Sequence, residues 1–161
     1  MMQIPLIYRQ PGTIPANKQS DVLVSNYDFL PTVLAYLGLS DRMRNRPMSP
    51  GRDYSRGLRG ESIAWDNVVF YEMETTRAVR TDRRKHVKRH PSGPHEMYDM
   101  RSDPQERVNV YGQPNVERMR GELEDRLTAF FKEYADPQYD LWKNGRSKAS
   151  LHSKGDPWPP N

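Results

Sequence analysis

Four short segments with strand composition follow one another between residues 67 and 110, and they constrain the fold more than any other part of the chain. They cover Asn67–Met73, Arg77–Thr81, Lys85–Arg89 and Glu96–Met100. Short β-branched and aromatic runs separated by Asp, Pro and Gly clusters are typical of an antiparallel meander. Asp103-Pro104 ends the last segment, because proline fixes φ and has no backbone N–H to donate.

The longest amphipathic pattern in the chain follows the meander, over Asn115–Tyr134. Its apolar side chains recur every three or four residues: Val116, Met119, Leu123, Leu127, Phe130, Phe131 and Tyr134. Gln113-Pro114 supplies a helix start and Asp136-Pro137 supplies a stop. The stripe predicts a helix that covers one face of the meander, which gives an α+β unit of two layers.

A shorter helix is predicted earlier in the chain. Ser25 and Asp28 fit a capping box, and Gly38 is a natural C-terminal stop. The apolar residues between them have helical spacing: Phe29, Leu30, Val33, Leu34 and Leu37. Pro31 lies beyond the first turn, so either that turn is irregular or the helix begins near Leu30.

Three other segments have weaker patterns. Ile4–Tyr8 is a compact apolar run before a Pro-Gly turn, which predicts a buried strand, and Pro5 places it at a strand start or a sheet edge. Asp41–Gly60 is rich in Arg, Pro, Gly and Ser, and we expect a surface connection without helix or strand. In the last segment Tyr139–Trp142 is expected to dock on the fold, with little order beyond Ser147.

Composition excludes several classes of protein. The 161 residues have a mean hydropathy of −0.97, a formal net charge of +4 and no cysteine. Disulfides and thiolate metal sites are therefore excluded. No run of about 18 apolar residues is present, so we expect no membrane span. The first residues lack the pattern of a secretory signal, which leaves the compartment open.

Basic residues concentrate in the meander: Arg77, Arg80, Arg83, Arg84, Lys85, Lys88 and Arg89, beside His86 and His90. This cluster leaves open a non-enzymatic binding module that docks an acidic partner or a polyanion. Aromatic residues are not interleaved among the cations, which disfavours nucleic acid. We expect Glu72, Glu74 and Glu96 to offset the arginines instead.

The residues indicate neither a metal site nor a catalytic centre. His90 and His95 flank a Pro-Gly loop and could approach each other, but neither they nor His86 and His152 have an obvious third ligand. The sequence contains no nucleophile elbow, phosphate-binding glycine loop or HExxH helix. We therefore predict no metal ligand in this chain.

Several motifs, in their order and spacing, resemble the sulfatase family. The stretch R-A-V-R-T-D at 77–82, K-H-V at 85–87, E-M-Y-D-M at 96–100 and D-P-Q-E-R-V-N-V at 103–110 is similar to the C-terminal subdomain of that family. The stretches P-L-I at 5–7, D-F-L-P-T-V-L at 28–34 and G-R-D-Y-S at 51–55 are similar to the part of the family that precedes this subdomain.

The resemblance implies a fold class and a domain organisation. The fold is expected to be α+β, with a four-stranded antiparallel meander covered by a C-terminal helix. A strand–helix remnant of an alkaline-phosphatase-like α/β catalytic domain would precede it. The implied limits are residues 1–40 for that remnant, 41–66 for a connection, 67–135 for the antiparallel subdomain and 136–161 for an extended tail.

The resemblance also implies a parent reaction, the hydrolysis of a sulfate ester of a small molecule or glycan with formylglycine and calcium. The family makes its formylglycine from Cys or Ser in the pattern [CS]-x-P-[SA]-R, which this chain lacks. No catalytic or metal residue is therefore carried over. Arg77, Arg80 and His86 are candidates for contacts to the leaving group, with structural pairing as their alternative role.

Two expectations about context follow. The partner of the chain would be the N-terminal catalytic portion of the enzyme, and such enzymes are often exported. On its own the chain should be catalytically silent. Besides the part of a sulfatase and the non-enzymatic binding module, a third hypothesis is a truncated reading frame that is not a working protein. In that case the exposed edge of Ile4–Tyr8 would promote aggregation.

Overall fold

The computed structural model describes residues 4–43 and 49–147. The chain divides into two compact units, Met1–Val69 and Phe70–Asn161. Its helices are α1 (Asn26–Tyr36), α2 (Ser55–Leu58) and α3 (Glu117–Tyr134), and its strands are β1 (Val68–Met73), β2 (Thr76–Thr81), β3 (Arg84–Arg89) and β4 (Glu96–Asp99). One-turn 3₁₀ helices occur at Ser40–Met43, Pro114–Val116 and Leu141–Lys143.

The four strands form one sheet in the order β1-β2-β3-β4, which confirms the predicted meander. Strands β2 and β3 pair antiparallel from Thr76 opposite Arg89 to Arg80 opposite Lys85. Strands β3 and β4 also pair antiparallel, and His86 lies opposite Met97. Each strand begins and ends within one residue of the position predicted from composition and turn residues.

Helix α3 covers one face of this sheet, as its apolar stripe predicted. Leu123, Leu127 and Phe131 are buried on the helix, and Val79 and Met97 are fully buried on the sheet. The first residues of the predicted helix form the 3₁₀ turn Pro114–Val116 rather than α-helix. The helix ends at Tyr134, two residues before Asp136-Pro137.

Helix α1 organises the first unit and begins at Asn26, so it continues through Pro31. Ser25 and Asp28 form the predicted capping box. Pro31 has no N–H to donate to the carbonyl of Tyr27, and Gly51 lies beside that carbonyl. A Cβ at position 51 would be 2.0 Å from the Tyr27 oxygen, so only glycine fits there.

The predicted C-terminal stop of α1 is confirmed by its hydrogen bonds. Gly38 has a left-handed φ of 72°. Its N–H donates to the carbonyl of Ala35 at 3.1 Å, and the N–H of Leu39 donates to that of Leu34 at 2.7 Å. This is the Schellman arrangement, in which glycine avoids the cost that a Cβ incurs at positive φ.

The strand predicted at Ile4–Tyr8 is wrong, because this segment is extended but pairs with no strand of the described chain. A strand needs a hydrogen-bonding neighbour, and the apolar pattern of the segment does not supply one. The predicted absence of helix in Asp41–Gly60 is also wrong. This segment contains α2 and most of the 3₁₀ turn at Ser40–Met43, and it buries Tyr54.

Side chains of α1 explain why the Arg- and Gly-rich segment is ordered around Gly51–Tyr54. Asp28 accepts the N–H of Arg52 at 2.7 Å, and Thr32 accepts the N–H of Tyr54 at 3.1 Å. Residues 44–48 of the segment, and the low order expected beyond Ser147, lie outside the described residues. Among the helices that the structure describes, none has the length and hydropathy of a membrane span.

Candidate functional site

The three candidate contacts to a leaving group lie on opposite faces of the sheet. Val79 pairs with His86, and Arg80 pairs with Lys85, so these two pairs point to opposite faces. Arg77 and His86 share the face that α3 covers, whereas Arg80 lies on the other face. The structure therefore does not bring Arg77, Arg80 and His86 together into one site.

Arg77 is the centre of a buried polar cluster. Its Nε donates to Glu72 at 2.8 Å, and one terminal nitrogen donates to Asp140 at 2.7 Å. Its guanidinium lies 4.1 Å from the ring centroid of Phe131 and 4.9 Å from that of Trp142. The residue is 6% exposed. Two carboxylates and two aromatic rings therefore surround the guanidinium, so its contacts serve the structure of the protein. We call this arrangement the clamp of Arg77.

Asp140 ties the segment after α3 to the sheet. Its side chain, besides accepting from Arg77, accepts the backbone N–H of Trp142 at 3.0 Å. The indole N–H of Trp142 donates to the carbonyl of Thr75 in the β1–β2 turn at 3.1 Å. The docking patch expected at Tyr139–Trp142 is thus present, and the clamp of Arg77 holds it in place.

His86 is fully buried beneath α3. Its Nδ1 lies 3.0 Å from the carbonyl oxygen of Glu96, and because a carbonyl only accepts, Nδ1 carries the proton. Its Nε2 lies 3.4 Å from a carboxylate oxygen of Glu124 on α3, and its ring is stacked on Tyr111 at 5.7 Å. Burial lowers the pKa of His86, since desolvation disfavours the imidazolium.

We expect the free energy of unfolding to fall on acidification because of His86. The pKa of His86 is lowered in the folded state, so the unfolded chain binds more protons once the pH falls below about 6.5. Glu124 opposes this effect, while Lys88 and His95 reinforce it. Stability should be full above that pH and decline below it, by at most about 1.4 kcal/mol per pH unit for one proton.

Urea unfolding of the wild type and of His86→Gln at several pH values between 8 and 5 measures this effect. The variant should be less stable at pH 8 and should show a shallower decline. Asp99 is a second source of acid sensitivity with its own window. Burial raises the pKa of Asp99, but hydrogen bonds from Arg84, Arg101 and Ser102 outweigh it, so the pKa is lowered and stability is lost only near pH 4 and below. Equal slopes in the two proteins above pH 5 would contradict the role of His86.

The opposite face of the sheet also carries paired polar side chains. Lys85 donates to Glu106 at 2.5 Å and lies over the ring of Tyr98. Burial raises the pKa of Tyr71, and Arg80 partly offsets this effect. Burial and a hydrogen bond to Glu96 raise the pKa of Tyr98 to about 12. Both phenols are therefore protonated at neutral pH, and neither is a base.

Carboxylates neutralise most of the basic cluster in the meander. The pairs are Arg77 with Glu72 and Asp140, Arg84 with Asp99, Lys85 with Glu106, Lys88 with Glu124, and Arg89 with Glu96. The roles predicted for Glu72 and Glu96 are confirmed. Glu74 instead accepts the hydroxyl of Ser147 at 2.9 Å.

Four of the acidic partners were not identified from the sequence, and one of them is Asp99, which lies opposite Arg84 on the neighbouring strand. Asp140 is 63 residues from Arg77, and no local pattern links them. Glu106 belongs to the D-P-Q-E turn, and its link to Lys85 also depends on tertiary structure. The position of Glu124 could have been found from the sequence. It follows Leu123 on the helix and so lies at the border of the buried stripe, next to the sheet.

The described residues do not provide the calcium site that the sulfatase resemblance implies. No group of three or more His, Asp or Glu side chains converges within residues 4–43 and 49–147. His90 packs on Trp142, and the Nδ1 of His95 accepts the N–H of Arg89 at 3.3 Å. His152 lies outside the described part of the chain.

The known proteins that are similar to this chain include sulfatases. A curated N-acetylglucosamine-6-O-sulfatase of Bacteroides thetaiotaomicron is 26% identical over 96% of this chain and 28% of its own length. A solved 2-O GAG sulfatase is 26% identical, with a TM-score of 0.55 over 68% of this chain and 25% of that one. The phosphonate monoester hydrolase of Agrobacterium radiobacter, 22% identical with a TM-score of 0.60, covers 74% of this chain and 27% of its own and shows the fold only.

These comparisons confirm the fold class, an antiparallel sheet with a C-terminal helix whose structural neighbours are alkaline-phosphatase-like sulfatases. The chain spans about a quarter of the length of these relatives. The family model for the C-terminal part of N-sulphoglucosamine sulphohydrolase matches residues 1–133. The chain therefore belongs to the sulfatase family, in the portion that this C-terminal model describes.

Proposed function

We propose that this chain is the C-terminal part of an enzyme that hydrolyses sulfate esters of a sugar, and that it has no activity by itself. The observation that carries the proposal is the match of residues 1–133 to a sulfatase C-terminal model. The names of the relatives, which include an N-acetylglucosamine-6-O-sulfatase and a 2-O GAG sulfatase, support a sulfated sugar as the substrate class.

In this proposal the catalytic groups and the structural contacts belong to different parts of the enzyme. Formylglycine supplies the nucleophile in this family and calcium stabilises charge on the sulfate, and residues outside this sequence would hold both. Residues of this chain hold the sheet, α3 and the segment around Asp140 in one arrangement. Arg77, Arg80 and His86 stay candidates for contact with the leaving group, although the observed partners of Arg77 and His86 favour a structural role.

An assay of the purified chain with an aryl sulfate and calcium tests whether the chain lacks sulfatase activity by itself. We expect no turnover above a heat-killed control, because the chain lacks [CS]-x-P-[SA]-R. Turnover that co-purifies with the chain would contradict the proposal.

A covalent chimera tests whether the chain can serve as the C-terminal part of an active sulfatase. In it this chain replaces the matched 28% of the Bacteroides N-acetylglucosamine-6-O-sulfatase. We expect sulfatase activity from this chimera, and a folded but inactive product would count against the assignment.

The alternative, a polyanion-binding module, predicts retention on heparin above about 0.3 M salt. The ion pairs of the basic cluster weaken that alternative, because carboxylates already neutralise most of its cations.

A further inference from the structure

The segment after α3 contains the one Asn-Gly pair of the sequence, Asn144-Gly145. In such a pair the backbone nitrogen of the glycine can attack the side-chain amide carbon of the asparagine. The new N–C bond closes a five-membered succinimide, the amide nitrogen leaves as ammonia, and water then opens the ring to aspartate or isoaspartate. Glycine favours this reaction because it has no side chain to obstruct the nitrogen, and asparagine is a thermolabile residue in proteins.

The fold of the turn requires both members of this pair. Asn144 has a left-handed φ of 61°, which asparagine tolerates better than most residues with a side chain. Only glycine fits at position 145, because a Cβ there would lie 2.5 Å from the backbone nitrogen of Asp140 and 2.7 Å from its carbonyl oxygen. The two residues that let the chain turn back onto Asp140 are therefore the two that can form a succinimide.

In the folded chain the geometry of the turn opposes ring closure in two ways. Gly145 donates its N–H to the carbonyl of Asp140 at 2.7 Å, so the nitrogen that would attack is held in a hydrogen bond and keeps its proton. The ψ of Asn144 is 24°, which places the nitrogen of Gly145 away from the Asn144 Cβ. The ring needs this nitrogen and Cβ on the same side of the Cα–C bond, so that bond must first rotate.

The clamp of Arg77 holds the turn in this unreactive geometry. The carboxylate of Asp140 accepts from Arg77 at 2.7 Å, so the residue whose carbonyl holds Gly145 is itself anchored to the sheet. The N–H of Arg146 donates to the carbonyl of Gln138 at 3.0 Å and closes the turn on its other side. Rotation within the turn requires these contacts to open. The reaction of the exposed Asn144 is therefore coupled to release of the segment from the sheet.

We propose that Asn144 is a site of spontaneous deamidation, and that the clamp of Arg77 holds the reaction back until the segment after α3 detaches from the sheet. The isoaspartate product has one additional methylene in the backbone before Gly145, together with a new carboxylate. The turn cannot hold this longer backbone and keep the hydrogen bonds of Gly145 and Arg146, so the modified segment stays detached. Deamidation thus makes a transient local opening permanent.

Incubation of the full chain at pH 8 in isotope-labelled water, followed by mass spectrometry of its peptides, measures the reaction. Hydrolysis of the succinimide adds one labelled oxygen, and separation of the isomers identifies isoaspartate. We expect conversion at Asn144 to be about tenfold or more slower in the native chain than in urea, because it requires local opening. Asn109 and Asn115 are internal controls, since each precedes a valine and should react far more slowly even in urea. Equal rates at Asn144 in the native and the unfolded chain would overturn the inferred protection.

Arg77→Met tests the role of the clamp, and Leu127→Ala is its matched control. Both substitutions should lower the global stability, but Arg77 pairs with Asp140 whereas Leu127 is buried on α3. Each rate is corrected for the measured free energy of unfolding of the same variant. Arg77→Met should then accelerate deamidation about threefold or more beyond Leu127→Ala, because it frees the segment locally. Acceleration that follows global stability alike in both variants would show that Asn144 reacts only after complete unfolding, and would overturn the role of the clamp.

Asn144→Gly tests the consequence of the modification. Glycine adopts the left-handed φ of this position without a side chain that can react. After long incubation, limited proteolysis within residues 135–147 should become faster in the wild type and stay unchanged in Asn144→Gly. A wild-type chain that carries isoaspartate at position 144 and resists the protease as before would overturn the inferred release of the segment.

Discussion

Replacing Arg77 with methionine is expected to reduce the free energy of unfolding by about 3–5 kcal/mol. The substitution keeps an unbranched chain that still packs on Phe131 and Trp142. It removes the cation from Asp140, whose side chain is 1% exposed, and from Glu72. A buried carboxylate without its partner keeps the full cost of desolvation, and this cost exceeds the value of the pair itself.

Arg101→Met is the matched control for this experiment. Arg101 also pairs with an aspartate, Asp82, at 3.1 Å, but the two side chains are 66% and 55% exposed. Exposed pairs contribute about 0–1 kcal/mol because water screens them. Urea unfolding of both variants, followed by circular dichroism, measures the difference between a buried arginine of the sheet and an exposed arginine of the turn after β4.

The double variant Arg77→Met/Asp140→Leu separates loss of the pair from loss of packing. With both charges removed, no unpaired carboxylate is left at position 140, so part of the stability should return. Arg77→Lys should recover little, because an ammonium neither reaches both carboxylates in a planar fork nor stacks in the same way on the rings. Losses below about 1 kcal/mol for Arg77→Met would show that Asp140 finds another partner.

The second unit could be predicted almost completely from the sequence because its signals are local. Strand composition, turn residues and the stripe of α3 each act over a few residues, and the structure follows them to within one or two positions. The partners of the buried charges could not be predicted in the same way. The contact between Arg77 and Asp140 exists only once α3 has carried residue 140 back to the sheet.

The first unit was predicted less well for a related reason. The pattern of α1 defines a helix correctly but does not say which face the fold buries, and the polar face is the one buried within this unit. Ile4–Tyr8 has the composition of a strand, yet composition cannot provide the neighbouring strand that makes one.

Leu127→Ala is expected to reduce the free energy of unfolding by about 2–5 kcal/mol. Leu127 lies in the middle of α3 and is 3% exposed, between the buried Leu123 and Phe131. Removal of its branched end leaves a cavity between helix and sheet, and the cost depends on how far α3 can move inwards. The contact of the Arg77 guanidinium with Phe131 on the same helix opposes such movement.

Met73→Ala serves as the control for the loss of apolar side-chain volume at an exposed site of the second unit. It should change stability by no more than about 0.5 kcal/mol. If Leu127→Ala behaved like this control, α3 would not provide the core of the unit, and the two-layer arrangement would be in conflict with the measured energetics. A large loss with unchanged dependence on urea concentration would instead show that helix and sheet unfold as one cooperative body.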